Sequence, residues 1–547
     1  MLRQTRTLWI LFVIGAAIAY AVLLQPPGCN QTAHYALVQS LAHSTPRIDS
    51  FHNETCDTAY VSGHYFAAKA PGLALATAPW FELLRAVRAV PANAALGRGF
   101  PAAMLALPRR ALWQVGIFGA VLPALGLVFL LRAIGERLSP GSGLPVAAGV
   151  GLGTLVFPFA TVLFSHVLAA SLGLGAFALL FLRQRPLLAG LVAGLAVCVE
   201  FPLAVVAVAL GLYAWRRAGP YAIGLVAGVV PLLAFNAWAF GDPFRLSYAS
   251  AVLDPGKSGH DVLGANSSGF FGIGVPSMRV GAELLFSPRG LFLLSPVLLA
   301  ALGGLWLLYR RGFRREALLA VGIFLAFLVY NAGYYVPFGG YVPGPRFLIA
   351  SIPFAALGLP AAFTAWPLLT SVLAGFSIAA MTVATAAEPL LGTDDTHSWI
   401  ARWEHGDFAQ SVVTLLGSGH GWIAIAPFLF GVAIAVAAVV PSLTRLHFDG
   451  WSVGALLGFV VIFLAAPDLL HTDRAVGQRT GLVTLIALVV ALVGVLRRRD
   501  RPRLIAGLPL LALVVPGFAA HTKQSLAAVA LSIAIVVAVE LRGRFSG

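Results

Sequence analysis

A succession of long apolar segments runs through the chain and limits what it can fold into. Segments such as 8–24, 111–131, 220–240 and 316–333 alternate with shorter polar stretches. Hydrophobic residues make up 59% of the 547 residues and charged residues only 10%, whereas a soluble domain carries about a quarter charged residues. Because one bilayer crossing needs about 20 apolar residues, the sequence predicts an all-α, polytopic integral membrane protein with about 13–16 transmembrane helices.

The excess of basic residues indicates how the chain sits in the membrane. Its formal charge is +15, and cytoplasmic loops of membrane proteins are enriched in Lys and Arg. If the charged segment 71–90 lies at the interface without crossing, arginines fall on alternate loops, at 132–137, 183–185, 216–217, 310–315, 497–503 and 542–544. These loops and both termini are then predicted to be cytoplasmic. The charge needs no nucleic-acid partner to explain it.

The same alternation leaves the long loops on the outer face. They span 25–110, 241–289, 334–345 and 387–420. The loop 25–110 holds Asp49, Glu54 and Asp57, four histidines and Lys69. Such groups can deprotonate a hydroxyl and hold a phosphate, although a solvated loop without a specific role remains the alternative. We therefore predict that chemistry or binding takes place on the outer face.

Short motifs in this loop resemble a known superfamily. Asp57 is followed by Gly63-His64-Tyr65 and then by Lys69-Ala70-Pro71-Gly72. This order resembles the GT-C glycosyltransferases that use polyprenyl-phosphate sugars, in particular the family 39-like branch and a bacterial subfamily of it. That branch includes protein O-mannosyltransferases and the aminoarabinose transferase of lipid A. Similar stretches follow at Leu188–Pro202, Ser287–Pro296 and Gly339–Phe347.

The resemblance implies a division of the chain. Residues 1–365 would form a GT-C-like transmembrane module with its first extracytoplasmic loop at 25–110, and residues 366–547 would add transmembrane helices without a recognised motif. The implied reaction moves a sugar from a polyprenyl-phosphate donor to a hydroxyl of a lipid, glycan or protein acceptor. The implied place is the outer side of a bacterial cytoplasmic (inner) membrane, among membrane lipids and without nucleic acid. A transporter or flippase of lipid-linked or hydrophobic substrates is the alternative, although no clear internal repeat supports it.

The resemblance also suggests site residues. Many of these enzymes have an acidic residue directly after the first span, but this chain has Asn30-Gln31 there. The expected catalytic base is therefore Asp57, with Asp49 as the second choice. Four residues are expected to bind the donor phosphate, namely Lys69, Arg346, His64 and Tyr65. The alternative for all six residues is a structural role, as a salt bridge, an interfacial side chain or part of the loop structure.

Further residues carry weaker expectations. Glu200 lies between two short apolar segments, where a buried charge is costly and calls for a partner or a function. We expect it, together with Asn30 and Gln31, to contact substrate or a divalent metal ion such as Mg²⁺ or Mn²⁺.

The remaining polar residues and the cysteines complete the set. Cys29 and Cys56 could form a disulfide in an oxidising compartment. His166 is expected to cap or pack a helix end, and Asp394, Asp395 and His397 to lie in a solvated loop.

Overall fold

The computed structural model describes residues 2–91, 95–252, 271–390, 397–417 and 419–443, with Ser452, Ala455, Leu456 and Phe459. Helices dominate this part of the chain. Six of them are long and apolar enough to cross a membrane: Arg109–Leu138, Trp215–Phe240, Arg314–Ala332, Arg346–Ala365, Pro367–Ala386 and Trp422–Leu443. A bent pair, Met278–Leu294 and Val297–Arg310, makes a seventh if it is counted as one span. The prediction of an all-α, multi-pass membrane protein is confirmed.

The elements of the first half follow one another in this order. They are α1 Leu2–Ala21, β1 Leu23–Leu24, α2 Cys29–Leu41, β2 Thr58–Val61, β3 His64–Ala67, α3 Gly72–Ala86, α4 Ala102–Leu105, α5 Arg109–Gly116, α6 Leu122–Leu138, α7 Gly143–Gly151, α8 Val156–Ala160, α9 Ser165–Phe181, α10 Pro186–Val199, α11 Leu203–Tyr213, α12 Ala218–Phe240 and β4 Ala251–Val252. A π-helical turn, Ile117–Val121, joins α5 to α6.

The second half continues with helices and one short strand. They are α13 Met278–Phe286, α14 Leu291–Leu294, α15 Val297–Arg310, α16 Arg314–Ala332, α17 Ile352–Ala355, α18 Leu359–Ala365, α19 Pro367–Ala386, α20 His397–His405, β5 Gln410–Ser411, α21 Val412–Leu415 and α22 Trp422–Val439. The 3₁₀ turns His52–Glu54, Trp215–Arg217, Ser247–Ser250, Arg346–Ser351, Ala356–Gly358 and Val440–Leu443 complete the described elements.

Two long apolar segments of the sequence do not form single continuous helices. The segment 144–160 divides into α7 and α8, and 290–309 divides at Ser295-Pro296, where the helices bend by 90°. Proline cannot continue a helix without loss of a hydrogen bond. The Val297 N–H next to the bend donates to the Ser377 hydroxyl at 3.1 Å, so this buried backbone group is satisfied. Several segments that contribute to the predicted count of 13–16 helices, from 451 onward, fall almost entirely outside the described residues.

The arginine-bearing loops meet at one end of the helices. Arg217 donates to the Gln184 carbonyl at 3.2 Å, and the Tyr213 hydroxyl donates to Glu316 at 2.7 Å. The loops 183–185, 216–217 and 310–315 therefore lie together at the ends of α9, α11 and α15 and the starts of α10, α12 and α16. At the opposite end, α12 and α16 lead into 241–289 and 334–345, two of the loops that were predicted to face outward.

Close packing between small residues fixes α10 against α12. A β-carbon on Gly190 would collide with the Tyr221 carbonyl, and one on Gly224 would collide with the Leu187 carbonyl. Glycines spaced four apart let two helix backbones approach this closely in a membrane protein. The contact holds the end of α10, which leads directly into Glu200.

The first outer loop is more ordered than its composition suggests. Eleven residues of α2 are buried, and β2 pairs with β3 in a hairpin whose register places Thr58 opposite Ala67. Ser62 and Gly63, both with positive φ, form its two-residue turn. Thr58 also pairs with Val252 of β4. A disulfide joins Cys29 at the start of α2 to Cys56 just before β2.

Candidate functional site

A cavity of 360 Å³ lies where the loop 25–110 meets the helix ends opposite the arginine-bearing loops. Asn30 comes from α2, Lys69 and Ala70 from the link between β3 and α3, and Ser165 and His166 from the start of α9. Its other lining residues are Val199, Glu200, Phe201, Pro202, Ala204, Val205, Leu246, Tyr248, Phe271, Ile273, Phe327, Tyr330, Tyr334 and Phe347. Charged groups thus share one chamber with many aromatic and aliphatic side chains.

A buried ion pair occupies one side of this cavity. Lys69 Nζ lies 2.9 Å from Asp57 Oδ2, with side chains 7% and 11% exposed. The hairpin register brings them together, because Ala68 N–H donates to the Asp57 carbonyl. Lys69 also donates to the Tyr248 hydroxyl at 3.4 Å. Burial opposes the charge of Lys69, but the Asp57 carboxylate outweighs it and leaves the pKa of Lys69 raised. Lys69 lines the cavity and Asp57 lies behind it.

A second carboxylate lies on another wall. Glu200 follows the last turn of α10, where Pro202 starts the next helix. Ser165 donates its hydroxyl proton to Glu200 Oε1 at 2.7 Å, and His166 Nδ1 contacts the same oxygen. His166 is only 3% exposed, and the rings of Phe159, Phe164 and Phe347 surround it. The expectation of a partner for Glu200 thus matches this contact, and His166 does more than pack.

Arg346 lies beside the cavity at the start of the helical segment 346–365. Its guanidinium stacks over the rings of Phe164 and Phe347, at 5.3 and 5.0 Å. It is half-buried, and its Nε has no hydrogen-bond partner among the described residues. Arg346 is close enough to interact electrostatically with Lys69. Two cationic side chains therefore converge on this end of the cavity.

Residues of α2 form the floor beside Lys69. Asn30 lines the cavity, and its Oδ1 lacks a hydrogen-bond partner within the described part of the chain. Gln31 is buried and donates to the Pro26 carbonyl, away from the cavity lining. His34 is buried one turn further along. Its burial and the charge of Lys69 lower the pKa of His34 to about 3.

Three of the predicted site residues lie elsewhere. His64 Nδ1 is 2.9 Å from Asp49 Oδ2, and Tyr65 N–H donates to Asp49 Oδ1 at 2.7 Å. The side chains of Asp49 and His64 are 42% and 38% exposed, and the Tyr65 ring stacks on His52 at 4.3 Å. None of the three lines the cavity. The sequence-derived set is therefore divided between the cavity and the outer surface of the hairpin.

The described residues do not fit a dedicated metal site. Among them, no group of three or more His, Cys, Asp or Glu side chains is arranged to hold a metal ion. Asp394 and Asp395, and the side chain of His397, lie outside the described residues. A Mg²⁺ or Mn²⁺ cofactor therefore remains an expectation from the resemblance alone.

Several lining residues carried no recognisable signal in the sequence. Tyr248, Tyr330 and Tyr334 come from the outer loop 241–289 and from the end of α16. Ser165-His166 offered one clue, since a histidine at the edge of an apolar segment needs a partner. That its partner is Glu200, 34 residues away, depends on how α9 packs against α10.

Comparisons with known proteins give a loose structural likeness. No protein-family model matches the chain, and no curated protein matches it in sequence. Two solved structures are similar, both of ArnT from Cupriavidus metallidurans. The form bound to undecaprenyl phosphate is 13% identical with a TM-score of 0.42, covering 98% of this chain and 77% of that one. The apo form is 14% identical with a TM-score of 0.41, covering 97% and 77%.

At these values the likeness carries no inference about activity.

Proposed function

We propose that this protein is a membrane glycosyltransferase that moves a sugar from a polyprenyl-phosphate donor to an acceptor hydroxyl. Its substrates would be a polyprenyl-phosphate sugar and a lipid, glycan or protein of the cell envelope. The observation that carries the proposal is Lys69, held charged by Asp57 at the edge of a cavity with largely apolar walls. A lipid phosphate needs this combination of a cation and an apolar channel.

The cationic end suits a phosphate group. Lys69 lines the cavity, and Arg346 lies beside it with an unpaired Nε within the described part of the chain. Charge-assisted hydrogen bonds from such groups are strong, particularly where little water competes. When the glycosidic C–O bond breaks, negative charge grows on the departing phosphate. Cations placed there in advance stabilise that transition state.

The apolar end suits a polyprenyl chain. Phe201, Ala204 and Val205 line the cavity near the start of α11. Ala204 and Val205 are exposed on the outside of the helix bundle, as are Val208 and Leu212 further along the same helix. Because this surface would face lipid, a long apolar chain can leave the cavity sideways without entering water.

The arginines support one orientation of the protein in the membrane. The arginine-bearing loops lie at the end of the helices opposite the cavity, and such loops face the cytoplasm in most membrane proteins. The cavity would thus open at the extracytoplasmic face of a bacterial cytoplasmic membrane, with the N-terminus on the cytoplasmic side. Lipid-linked donors are the activated sugars suited to that face.

Lipid binding tests the proposal first. The purified protein in detergent should bind undecaprenyl phosphate, detected by native mass spectrometry, and should bind undecaprenol more weakly, since that lipid lacks the phosphate. Lys69→Ala should weaken binding of the phosphate by about tenfold or more, as expected for loss of one charged hydrogen bond. Arg85→Ala is the matched control, because Arg85 pairs with Glu82 on the exposed part of α3.

Turnover separates an enzyme from a transporter. Labelled polyprenyl-phosphate sugars incubated with the protein and membrane extract should lose their sugar to an acceptor. Equal affinity for undecaprenol and undecaprenyl phosphate would contradict the phosphate site. Movement of an intact labelled lipid across liposomes, with no sugar transferred, would instead favour the transporter alternative.

A further inference from the structure

Two carboxylates lie at or near the cavity in different surroundings, and only one of them is on its wall. Asp57, the base expected from the motifs, is bound to Lys69 and lies behind it. Glu200 lines the cavity together with its neighbours Ser165 and His166. A group that takes a proton from a substrate must come within hydrogen-bond reach of that substrate. The wall formed by Glu200 and His166 satisfies this requirement.

The contact between Glu200 and His166 also determines which ring nitrogen is free. His166 Nδ1 contacts Glu200 Oε1, so a proton on Nδ1 would be held by the carboxylate. Both ring nitrogens of His166 are buried, and neither forms a hydrogen bond of standard geometry with the residues that the structure describes. Nδ1 is nevertheless in contact with Glu200 Oε1, whereas Nε2 is left without a partner. A buried polar atom without a partner is costly. A substrate hydroxyl in the cavity would supply the missing partner.

The surroundings of His166 fix the orientation of its imidazole ring. Ser165 fixes the Glu200 carboxylate by donating a hydrogen bond at 2.7 Å. The rings of Phe159, Phe164 and Phe347 restrict the His166 ring, with centroids 5.5–5.8 Å away. The cationic side chains of Lys69 and Arg346 lie close enough to interact electrostatically with His166. A carboxylate that orients a histidine through one nitrogen leaves the other nitrogen ready to accept a proton.

We infer that His166, oriented by Glu200, is the general base that activates the acceptor hydroxyl. The inference rests on the proposed function and names the base of that reaction. As the acceptor oxygen forms a bond to the anomeric carbon of the sugar, its proton passes to His166 Nε2. The bond from that carbon to the phosphate oxygen breaks, and its electron pair leaves with the polyprenyl phosphate toward Lys69. The imidazolium then releases its proton to water.

In this arrangement Asp57 is a positioning residue. Its carboxylate holds the Lys69 ammonium at 2.9 Å, so Asp57→Asn should weaken binding of undecaprenyl phosphate. His166→Asn should leave that binding within about twofold of the wild type and slow transfer by about 10²–10⁴-fold, the usual contribution of a general base. His52→Asn is the matched control, because His52 lies on the outer hairpin surface away from the cavity.

The pH profile is a readout that a purely structural role would not move. The measurement uses a saturating concentration of a polyprenyl-phosphate sugar that the enzyme accepts as donor. Under these conditions kcat of the wild type should fall at acidic pH as His166 becomes protonated. His166→Asn should abolish that fall. Glu200→Gln should lower kcat and shift the fall to lower pH, because the imidazole loses its stabilising anion. If Asp57→Asn abolishes the acidic fall and His166→Asn retains it, the base is Asp57 and the inference is wrong.

The tautomer of His166 gives a test that does not need turnover. Nitrogen-15 NMR of the full chain with labelled histidine rings, in lipid at neutral pH, should show a neutral His166 with its proton on Nδ1. The His166→Asn spectrum assigns the signal, and Glu200→Gln should remove the preference for that tautomer. A proton on Nε2, or an imidazolium, would overturn the inference even if undecaprenyl phosphate binds. Failure to bind that lipid would instead contradict the proposed function.

Discussion

Gly72 packs directly against the carbonyl of Cys198, so that a β-carbon on Gly72 would lie 2.5 Å from that oxygen. Gly72 begins α3 just after Lys69, and Cys198 lies two residues before Glu200. The missing side chain lets the first outer loop dock on the end of α10. One backbone contact therefore brings the two charged walls of the cavity together.

Substitution of Gly72 should open the cavity. Gly72→Ala forces α3 away from α10, and overpacking of this kind costs about 1–3 kcal/mol. We expect a lower melting temperature in detergent and weaker binding of undecaprenyl phosphate. Gly322→Ala in α16 is the control, since a β-carbon there meets no atom within 4 Å. Equal losses in both variants would show that the contact with Cys198 is unimportant.

The Lys69–Asp57 pair should make stability fall at high pH. The pKa of Lys69 is raised above its ordinary value of 10.5 in the folded protein, so the stabilisation is full below 10.5 and disappears as pH rises through the folded value. Denaturation in detergent at increasing pH measures it. Lys69→Met should be less stable at neutral pH, because the buried Asp57 loses its partner, and should lose little more at alkaline pH. A parallel decline in both proteins would contradict the pairing.

His34 should make the protein sensitive to acid. Its pKa is about 3 in the folded chain against an ordinary value of 6.5. Below pH 6.5 the unfolded state therefore binds a proton at His34 that the folded state does not bind. The free energy of unfolding consequently declines from pH 6.5 toward pH 3. His34→Leu should be more resistant to unfolding than the wild type at about pH 4. His43→Leu, at a position nearer the surface, should bring no such gain.

The disulfide should stabilise the outer loop and the cavity together. Cys29 and Cys56 are 27 residues apart, and closing a loop of that length stabilises the folded state by about 3–4 kcal/mol in the chain-entropy model. Their neighbours Asn30 and Asp57 both belong to the site. Cys29→Ser with Cys56→Ser should therefore lower both the melting temperature and the affinity for undecaprenyl phosphate. Cys198→Ser, which leaves the disulfide intact, provides the comparison.

Asp49 tests the division between the cavity and the outer surface. Its carboxylate binds His64 and the Tyr65 N–H on the hairpin, and it does not line the cavity. We expect Asp49→Asn to retain sugar transfer within about threefold, because an exposed ion pair contributes at most about 1 kcal/mol. Loss of transfer comparable to that of His166→Asn would place Asp49 in the reaction after all.

Hydropathy and charge gave the outline of this fold because each depends on one segment at a time. Segments long enough to span a bilayer were recognised, and the arginine clusters identified the loops that now lie together at one end. Hydropathy does not show where the chain breaks a helix and changes direction. The break between Gly151 and Val156 is as apolar as the helices on either side, so hydropathy alone indicates one continuous span there.

The site was predictable only where local motifs carried it. Lys69 and Asp57 belong to the same sequence motif, and the hairpin brings them together. The hairpin itself was missed because β2 and β3 are only four residues each and lie within a polar loop. The pairing of His166 with Glu200 depends on the packing of two helices, which no single segment encodes.

The disulfide has a consequence for the order in which the protein is built. Synthesis proceeds from the N-terminus, so Cys29 and Cys56 are made before α9, α10 and the 346–365 segment. Their bond can close before α9, α10 or the 346–365 segment exists. When it does, the helices that carry His166, Glu200 and Arg346 join a loop whose ends the disulfide already holds together, and the segments made last complete the site.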